Sequence, residues 1–523
     1  VSDANEMTDK RQRGETSLTA GASWIMFAKT LAFAFSFALP LLLVRRLSQH
    51  DLGLYKQAFL VVGTATAVFS LNFNTSAYYF LPREDGQRRL SIVLNILIFN
   101  LLAGGLAFCI LLFFPGVLEK IFNSAELVAY APAIGLVVLL WLFSLFLEMV
   151  AIANGEMRRA TVFIVCAQLT KTMLMLGAAV WFASVRALVI AAAVQGTLQT
   201  LILLLYLRSR FQGFWRSFDW PVMRMQLAYA LPLGLYGLLW TFQADLHNYF
   251  VSHQFGAAAF ALYSMGCFDL PLIGILAESV GAVMIPRMSL MQRDGQTREI
   301  VVTMSRAMRK LAAVYFPIYA MLMIVGREFI TMLFTSQYAG SWPVFAVNIT
   351  LIPFNILALD PLTRAYKEHR FYLLRVRLAT FVAQTAALWF VTTRFGLVEA
   401  IAVVVAGTLI ERLVIVWKFG RVLGIGRHDA GLLKDVGKIA AATLAGAAAA
   451  LAVHSFVAGG RPFFVILYCG VAFSVVYLAG LLVLGVPEEE ERDWARRFLS
   501  RLLSRRARPR VAPEALTEAV SDK

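Results

Sequence analysis

The side chains best placed to do chemistry are ionisable groups inside long apolar stretches: Lys29, Glu148, Lys171, Asp245, Asp269, Glu278 and the pair Glu411-Arg412. Such a group costs at least ~2.5–3.5 kcal/mol near the centre of a bilayer, so it usually faces a partner or a watery cavity. Glu148 and Glu411-Arg412 stand near the ends of their stretches, where snorkelling or a local ion pair accounts for them. Lys29, Lys171 and Asp269 lie deeper, and for these a cavity role and a structural ion pair are both open. Asp269 is expected midway along its stretch, two residues before Pro271, where it could carry a proton between faces if burial favours its neutral form.

Other patterns do not support a site. Gly431 to Ile439 resembles a phosphate-binding loop, but its glycine spacing is one residue too long and Ile439 stands where Ser or Thr should hold magnesium. Asn74-Thr-Ser76 and Asn348-Ile-Thr350 match the glycosylation sequon, yet both fall in or beside apolar stretches. Asp245 and His247, two apart on a helix, point to different faces, which argues against a metal site. Cys109, Cys166, Cys267 and Cys469 show no paired spacing and read as small buried hydrophobes. No cofactor is expected, and no ATP site is visible.

The elements that must position these groups are membrane spans. Of 523 residues, 59% belong to the hydrophobic set and only 15% are charged, against about 25% charged in a soluble domain. The apolar residues are gathered in runs of roughly 20, long enough to cross a ~30 Å hydrocarbon layer. The sequence predicts an all-α polytopic membrane protein of about 14 transmembrane helices, at 22–44, 57–81, 90–114, 127–153, 160–183, 187–207, 226–250, 257–285, 308–326, 342–360, 371–393, 397–418, 437–457 and 463–485. The first run ends in Arg45-Arg46 without a small-residue cleavage site, so it is expected to remain as an anchor.

The net charge of +16 would suit a nucleic-acid binder only if it clustered on one soluble face. Instead it is sorted by loop. With the N-terminus taken as cytoplasmic, 37 of the 48 Lys and Arg fall in the segments on that side, 8 in the opposite loops and 3 within spans. This positive-inside asymmetry places both termini in the cytoplasm.

Residues 47–55 (LSQHDLGLY) and 255–263 (FGAAAFALY) match at an offset of 208, sharing Leu54/Leu262 and Tyr55/Tyr263, and each downstream span ends in Pro-Arg. A unit of six spans is even, so the repeat is parallel. The expected organisation is a cytoplasmic segment at 1–21, an N-lobe at 22–207, a linker at 208–225, a C-lobe at 226–418 and two extra spans within 437–485. The remainder, 486–523, is expected to be an amphipathic helix carrying Trp494, Phe498, Leu499, Leu502 and Leu503 on one face, followed by a disordered tail. Pro40 and Pro271 are expected to interrupt spans 1 and 8, giving bends at corresponding places in the two halves, and Pro343, Pro353 and Pro361 punctuate span 10.

The spans, the Leu47-x-x-x-x-Leu52-Gly53-Leu54-Tyr55 segment, its counterpart at Phe255–Tyr263 and the short basic loops make residues 18–485 similar to a Wzx-type polysaccharide flippase, within the superfamily that also holds MATE drug exporters and the lipid II flippase. Ser48 departs from the glycine usual there, so the local turn is expected to differ. The resemblance implies two lobes around a cavity lined by spans 1, 2, 7 and 8, moving an undecaprenyl-pyrophosphate-linked oligosaccharide outward across the bacterial inner membrane by alternating access. It makes Lys29 the leading pyrophosphate contact and Lys171 the second. Arg45, Arg46 and Lys56, assigned to the outer side, would receive or release the head group there. It further implies membrane lipids, a polysaccharide polymerase and other assembly proteins as partners, and a monomer with no enzymatic activity. A MATE-like exporter of small cations would need an acidic cavity, for which Asp245, Asp269 and Glu278 with ion coupling are the candidates. A membrane polymerase or ligase would need a long outer loop with catalytic acids, and the outer loops are short.

Overall fold

A computed structural model describes residues 24, 30–32 and 35–487, without the side chains of Lys367 and Arg427. Among the described residues the chain is helical throughout, without a strand. In hydrocarbon every backbone N–H and C=O must be satisfied within the segment, and the helix is the local solution. The main helices are α1 (residues 35–43), α2 (Gln49–Ser70), α3 (Gly86–Phe113), α4 (Ala131–Ala153), α5 (Met157–Trp181), α6 (Val185–Arg210), α7 (Trp220–Gly266), α8 (Pro271–Arg293), α9 (Thr297–Phe334), α10 (Arg370–Arg394), α11 (Leu397–Val422), α12 (Lys434–Val457) and α13 (Pro462–Val483). An irregular run at Ser336–Ile356, broken at Pro353, leads to a short helix at Leu359–Ala365.

Twelve segments among the described residues are long and apolar enough to cross a membrane. The chain is a multi-pass membrane protein. That set excludes the first helix, only part of which lies among the described residues, and α7, so length and hydropathy among those residues do not reproduce the expected fourteen. Lipid-facing positions such as Leu102, Leu205 and Trp389 are more than 60% exposed at the protein surface. Cys109 and Cys166 are exposed as well, contrary to the burial expected of them; Cys267 is half-buried and Cys469 buried.

Turns gather at two ends. At one, which we call the linker end, Gln87 Nε2 donates to Ser217 Oγ (3.0 Å), Arg210 Nε meets Glu156 (2.9 Å), Gln292 Nε2 donates to Glu368 (3.3 Å), and Arg298 pairs with Asp429. At the other, the corner end, Gln49 Nε2 donates to the Gln337 carbonyl (2.6 Å) and His253 Nδ1 lies 3.0 Å from the Ile121 carbonyl.

The 47 residues of α7 would run about 70 Å if straight. They do not: backbone angles at Gly256 leave the helix (φ 75°, ψ −179°), and His247 and Tyr263, 16 residues apart, are joined by a 2.8 Å hydrogen bond. The chain therefore folds back at Gly256, between the spans expected at 226–250 and 257–285. Leu270, held in an extended conformation (φ −78°, ψ 117°), then separates α7 from α8. This is the conformation a following proline imposes.

Three expectations need correction. Pro271 begins a helix and does not bend one, so Asp269 lies in an open break and not midway along a helix. Residues 35–43 remain helical through Pro40. The breaks also do not correspond: α2 runs to Leu71 and Asn72, both in the left-handed region, whereas the break in the second half begins at Cys267, only 11 residues beyond Gly256.

The apolar core is divided by depth. Toward the corner end one cluster joins both halves, bringing Leu43, Leu52 and Val62 together with Ala261, Phe334 and Tyr338. Toward the linker end the packing divides into two clusters. One centres on Phe73, Ile96, Phe146 and Leu207 and takes in the start of α7; the other is built from Met288 of α8, Ile300 of α9 and Phe419 of α11.

Candidate functional site

The site is built on the corner between α1 and α2. Five residues after α1, Ser48 caps α2: its Oγ accepts the Asp51 backbone N–H (3.0 Å) and donates to the Asp51 carboxylate (2.7 Å). The cap throws Arg45 and Arg46 outward, where both are exposed and line a cavity of about 730 Å³ formed by residues 44–49 and 335–337. Arg45 donates to the carbonyls of Leu41 and, at 3.1 Å, of Met332. Together with Gln49 and Gln337 it ties the first half to the end of α9.

The facing wall is strained. Thr335 has φ 73°, costly for a β-branched residue, and its hydroxyl is buried without a partner, as is that of Tyr338.

Below the corner, α2 and α7 run antiparallel in close contact. A Cβ on Gly53 would sit 1.8 Å from the Ala257 carbonyl oxygen, so only glycine permits this approach. One turn deeper, Gln57 Nε2 donates to Ser252 Oγ at 2.7 Å, both fully buried. Lys56 therefore lies in the second turn of α2, half-buried, and not in an outer loop as expected. The helix starts at its serine cap, well before the hydropathy rises. Lys56 and Asp269 both lie within electrostatic range of Cys267 in the break.

Lys171 projects from α5 with its ammonium 4.3 Å above the Trp141 ring of α4, and Trp141 Nε1 donates to the Ala192 carbonyl (3.2 Å). Trp141 meets Phe59 of α2 at a tilt (5.8 Å), Phe59 meets Tyr55 (4.6 Å), and the Tyr55 hydroxyl lies 3.9 Å from Met175 Sδ. An aromatic face supports this cation. Lys29 lies outside the described residues.

The acids are dispersed. Asp245 is half-buried on α7 beside Asn248; Asp269 is exposed in the break; Glu278 is exposed on α8. His247 is committed to Tyr263, and no group of three metal-ligating side chains exists among the described residues. Asn74 is buried, its side chain accepting from Asn100 Nδ2 at 2.8 Å.

Sequence reasoning missed one cluster. Glu411 pairs not with Arg412 but with Arg377 of α10 (3.2 Å), and accepts from Gln243 Nε2 of α7 (3.0 Å), while the Arg377 guanidinium lies 4.5 Å above the Trp240 ring. The pair is mostly buried and joins α7, α10 and α11. A second charge two turns inside an apolar run was the available signal.

This bundle has the fold of transporters of the MOP superfamily. The lipid II flippase MurJ in an inward closed conformation superposes with a TM-score of 0.69 at 14% identity, over 89% of this chain and 98% of that one. An inward-facing multidrug resistance MATE family transporter gives 0.60 at 14% identity over 77% and 96%, and an outward-facing one gives 0.52 at 13% over 79% and 96%. No functionally curated protein shows significant sequence similarity. The sequence pattern of the family described as polysaccharide biosynthesis protein matches residues 42–343, more than half of the chain, and the protein belongs to that family.

Proposed function

We propose that the chain moves undecaprenyl-pyrophosphate-linked oligosaccharide repeat units across the bacterial cytoplasmic membrane, for exopolysaccharide or O-antigen export, by alternating access. The observation that carries the reading is the divided core: one cluster joins both halves at the corner end, while at the linker end α8, α9 and α11 pack apart from the cluster formed by the first half and the start of α7. Two packed halves that meet at one end can exchange that contact for its opposite, because close-packed interfaces are bistable. Membership of a polysaccharide biosynthesis family points to a glycan intermediate as cargo. The fold is also that of a lipid II flippase, which supports a lipid-linked form. Charge sorting puts the linker end in the cytoplasm, with both termini.

A pyrophosphate needs cationic partners in a watery path. Lys29 remains the leading contact by resemblance. Lys171, on its aromatic support, and Lys56, facing the break, are the internal cations, and Arg45 and Arg46 are the release point. The opposite sign of cargo, a small cation carried by a MATE-like exporter, would draw on Asp245, Asp269 and Glu278; exposure of the last two favours it.

Proteoliposomes holding the full chain separate the two. The flippase reading expects lipid-linked oligosaccharide loaded in one leaflet to become accessible to an external glycosidase, with Lys171→Ala slowing this about tenfold to hundredfold, the value of one charge-assisted contact. Efflux of a cationic dye with no glycan translocation overturns it.

A further inference from the structure

At the linker end, away from the interface between the halves, α5 and α6 part to form a groove of about 650 Å³. Its upper rim carries Arg158, Arg159 and Arg210; its lower wall is Val162, Ile202 and Leu205. The rim is held in a fixed geometry. Glu156 accepts from Arg159 at 2.7 Å and from Arg210 at 2.9 Å, so a single carboxylate holds two of the three guanidiniums. Among the described residues Arg158 has no acidic partner. Behind the rim, Phe163 meets Tyr206 edge-on at 5.5 Å, and the Tyr206 hydroxyl accepts from Asn154 Nδ2 at 3.2 Å, which closes the floor.

The walls state what the rim binds. Val162 is 56% exposed and Leu205 67%, and both continue down the helices from the arginines toward the hydrocarbon. A free anion would need the cations but not this apolar surface; a lipid tail would need the surface but not the cations. We propose that the α5–α6 groove is a seat for an anionic diacyl phospholipid, its phosphate held by Arg158, Arg159 and Arg210 and one acyl chain laid along Val162, Ile202 and Leu205. Basic pockets between transmembrane helices at the membrane surface suit such head groups, and a guanidinium fork matches phosphate oxygens. A lipid bound there would also bridge α5 and α6, adding to the Glu156 link.

The experiment uses the purified full chain in detergent, with native mass spectrometry counting retained lipids and thermal unfolding as a second readout. Phosphatidylglycerol is expected to give one tightly held adduct and a rise in Tm that phosphatidylcholine does not. The double variant Arg158→Gln/Arg210→Gln should lose that adduct, with affinity lower by about thirtyfold for two surface charges. Arg375→Gln, a basic site elsewhere at the same end, should keep it. Glu156→Gln removes the competing carboxylate and should hold phosphatidylglycerol at least as tightly as the native chain. Equal retention of the two phospholipids, an undiminished adduct in the double variant, or weaker binding in Glu156→Gln overturns the proposal. Displacement of the adduct by undecaprenyl pyrophosphate at equal concentration also overturns it, since the groove would then belong to a polyprenyl lipid.

Discussion

The corners at residues 45–55 and 253–263 occupy equivalent places in the repeat and turn the chain by different means. At the first, Ser48 stays in the extended region (φ −65°, ψ 161°) and stops the turn with its side chain, capping α2. At the second, Gly256 turns through a positive φ of 75° with ψ near 180°, a conformation open almost only to glycine. The difference continues downstream. α2 is unbroken for 22 residues, whereas the helix after Gly256 opens at Cys267. The repeat thus preserves topology but not stiffness: one half offers a continuous wall bearing Lys56, the other an open stretch of backbone bearing Asp269.

The largest effect is expected where the two corners touch. Gly53→Val puts a side chain where even a Cβ would lie 1.8 Å from the Ala257 oxygen. Neither backbone can yield without separating α2 from α7. Glycan export should be lost and Tm should fall by the equivalent of at least ~1–3 kcal/mol. A variant with native export and native Tm would mean that the corners do not pack as described.

Next comes the charge that only the first corner carries. Position 264, the counterpart of Lys56 at the offset of 208, is a serine whose hydroxyl donates to the Ala261 carbonyl at 3.1 Å. If Lys56 meets an anion in transit, Lys56→Ala should lower export about tenfold to hundredfold, and Lys56→Arg should retain part of it. Ser264→Ala should change export little. Equal effects at 56 and 264, measured at matched abundance, would remove Lys56 from the substrate path.

The second corner can be tested through its backbone. Gly256→Ala adds only a methyl group, and nothing lies within 4 Å of its position, so any cost comes from φ alone. Destabilisation of ~1–3 kcal/mol is expected by thermal unfolding. An unchanged Tm would show that the chain turns there by another route.

Much of this was legible in the sequence because the bilayer enforces it. Runs of apolar residues and the sorting of basic ones follow from solvation alone, and the Phe255–Tyr263 segment marked the second corner. What escaped depends on local chemistry that hydropathy averages away. Hydropathy starts the apolar run at residue 57 and so leaves Lys56 in a loop, although Ser48-x-x-Asp51 marks a helix start. The break at Cys267 is hidden by an apolar run that continues through it, and its local mark is the restriction that Pro271 puts on Leu270. The Arg377–Glu411 pair joins residues on separate helices, and no spacing along the chain reports it.

The smallest effect is the sharpest test of the comparison, because it asks whether the first corner could have been built like the second. Ser48 contributes one side-chain acceptor to the start of α2, where the first backbone N–H groups have no partner in the helix. Ser48→Ala leaves the Asp51 N–H without that acceptor and should cost about 1 kcal/mol in thermal unfolding. Ser48→Gly removes the same hydroxyl but relaxes the backbone and lets water reach the N–H, so only a few tenths of a kcal/mol should be lost. The native backbone at position 48 has a negative φ, so glycine gains nothing from its access to the left-handed region. If Ser48→Gly were instead as costly as Ser48→Ala, the hydroxyl would be holding Asp51 and not merely capping the helix. Asp51→Asn, which keeps the shape and removes the charge, should then reproduce the loss.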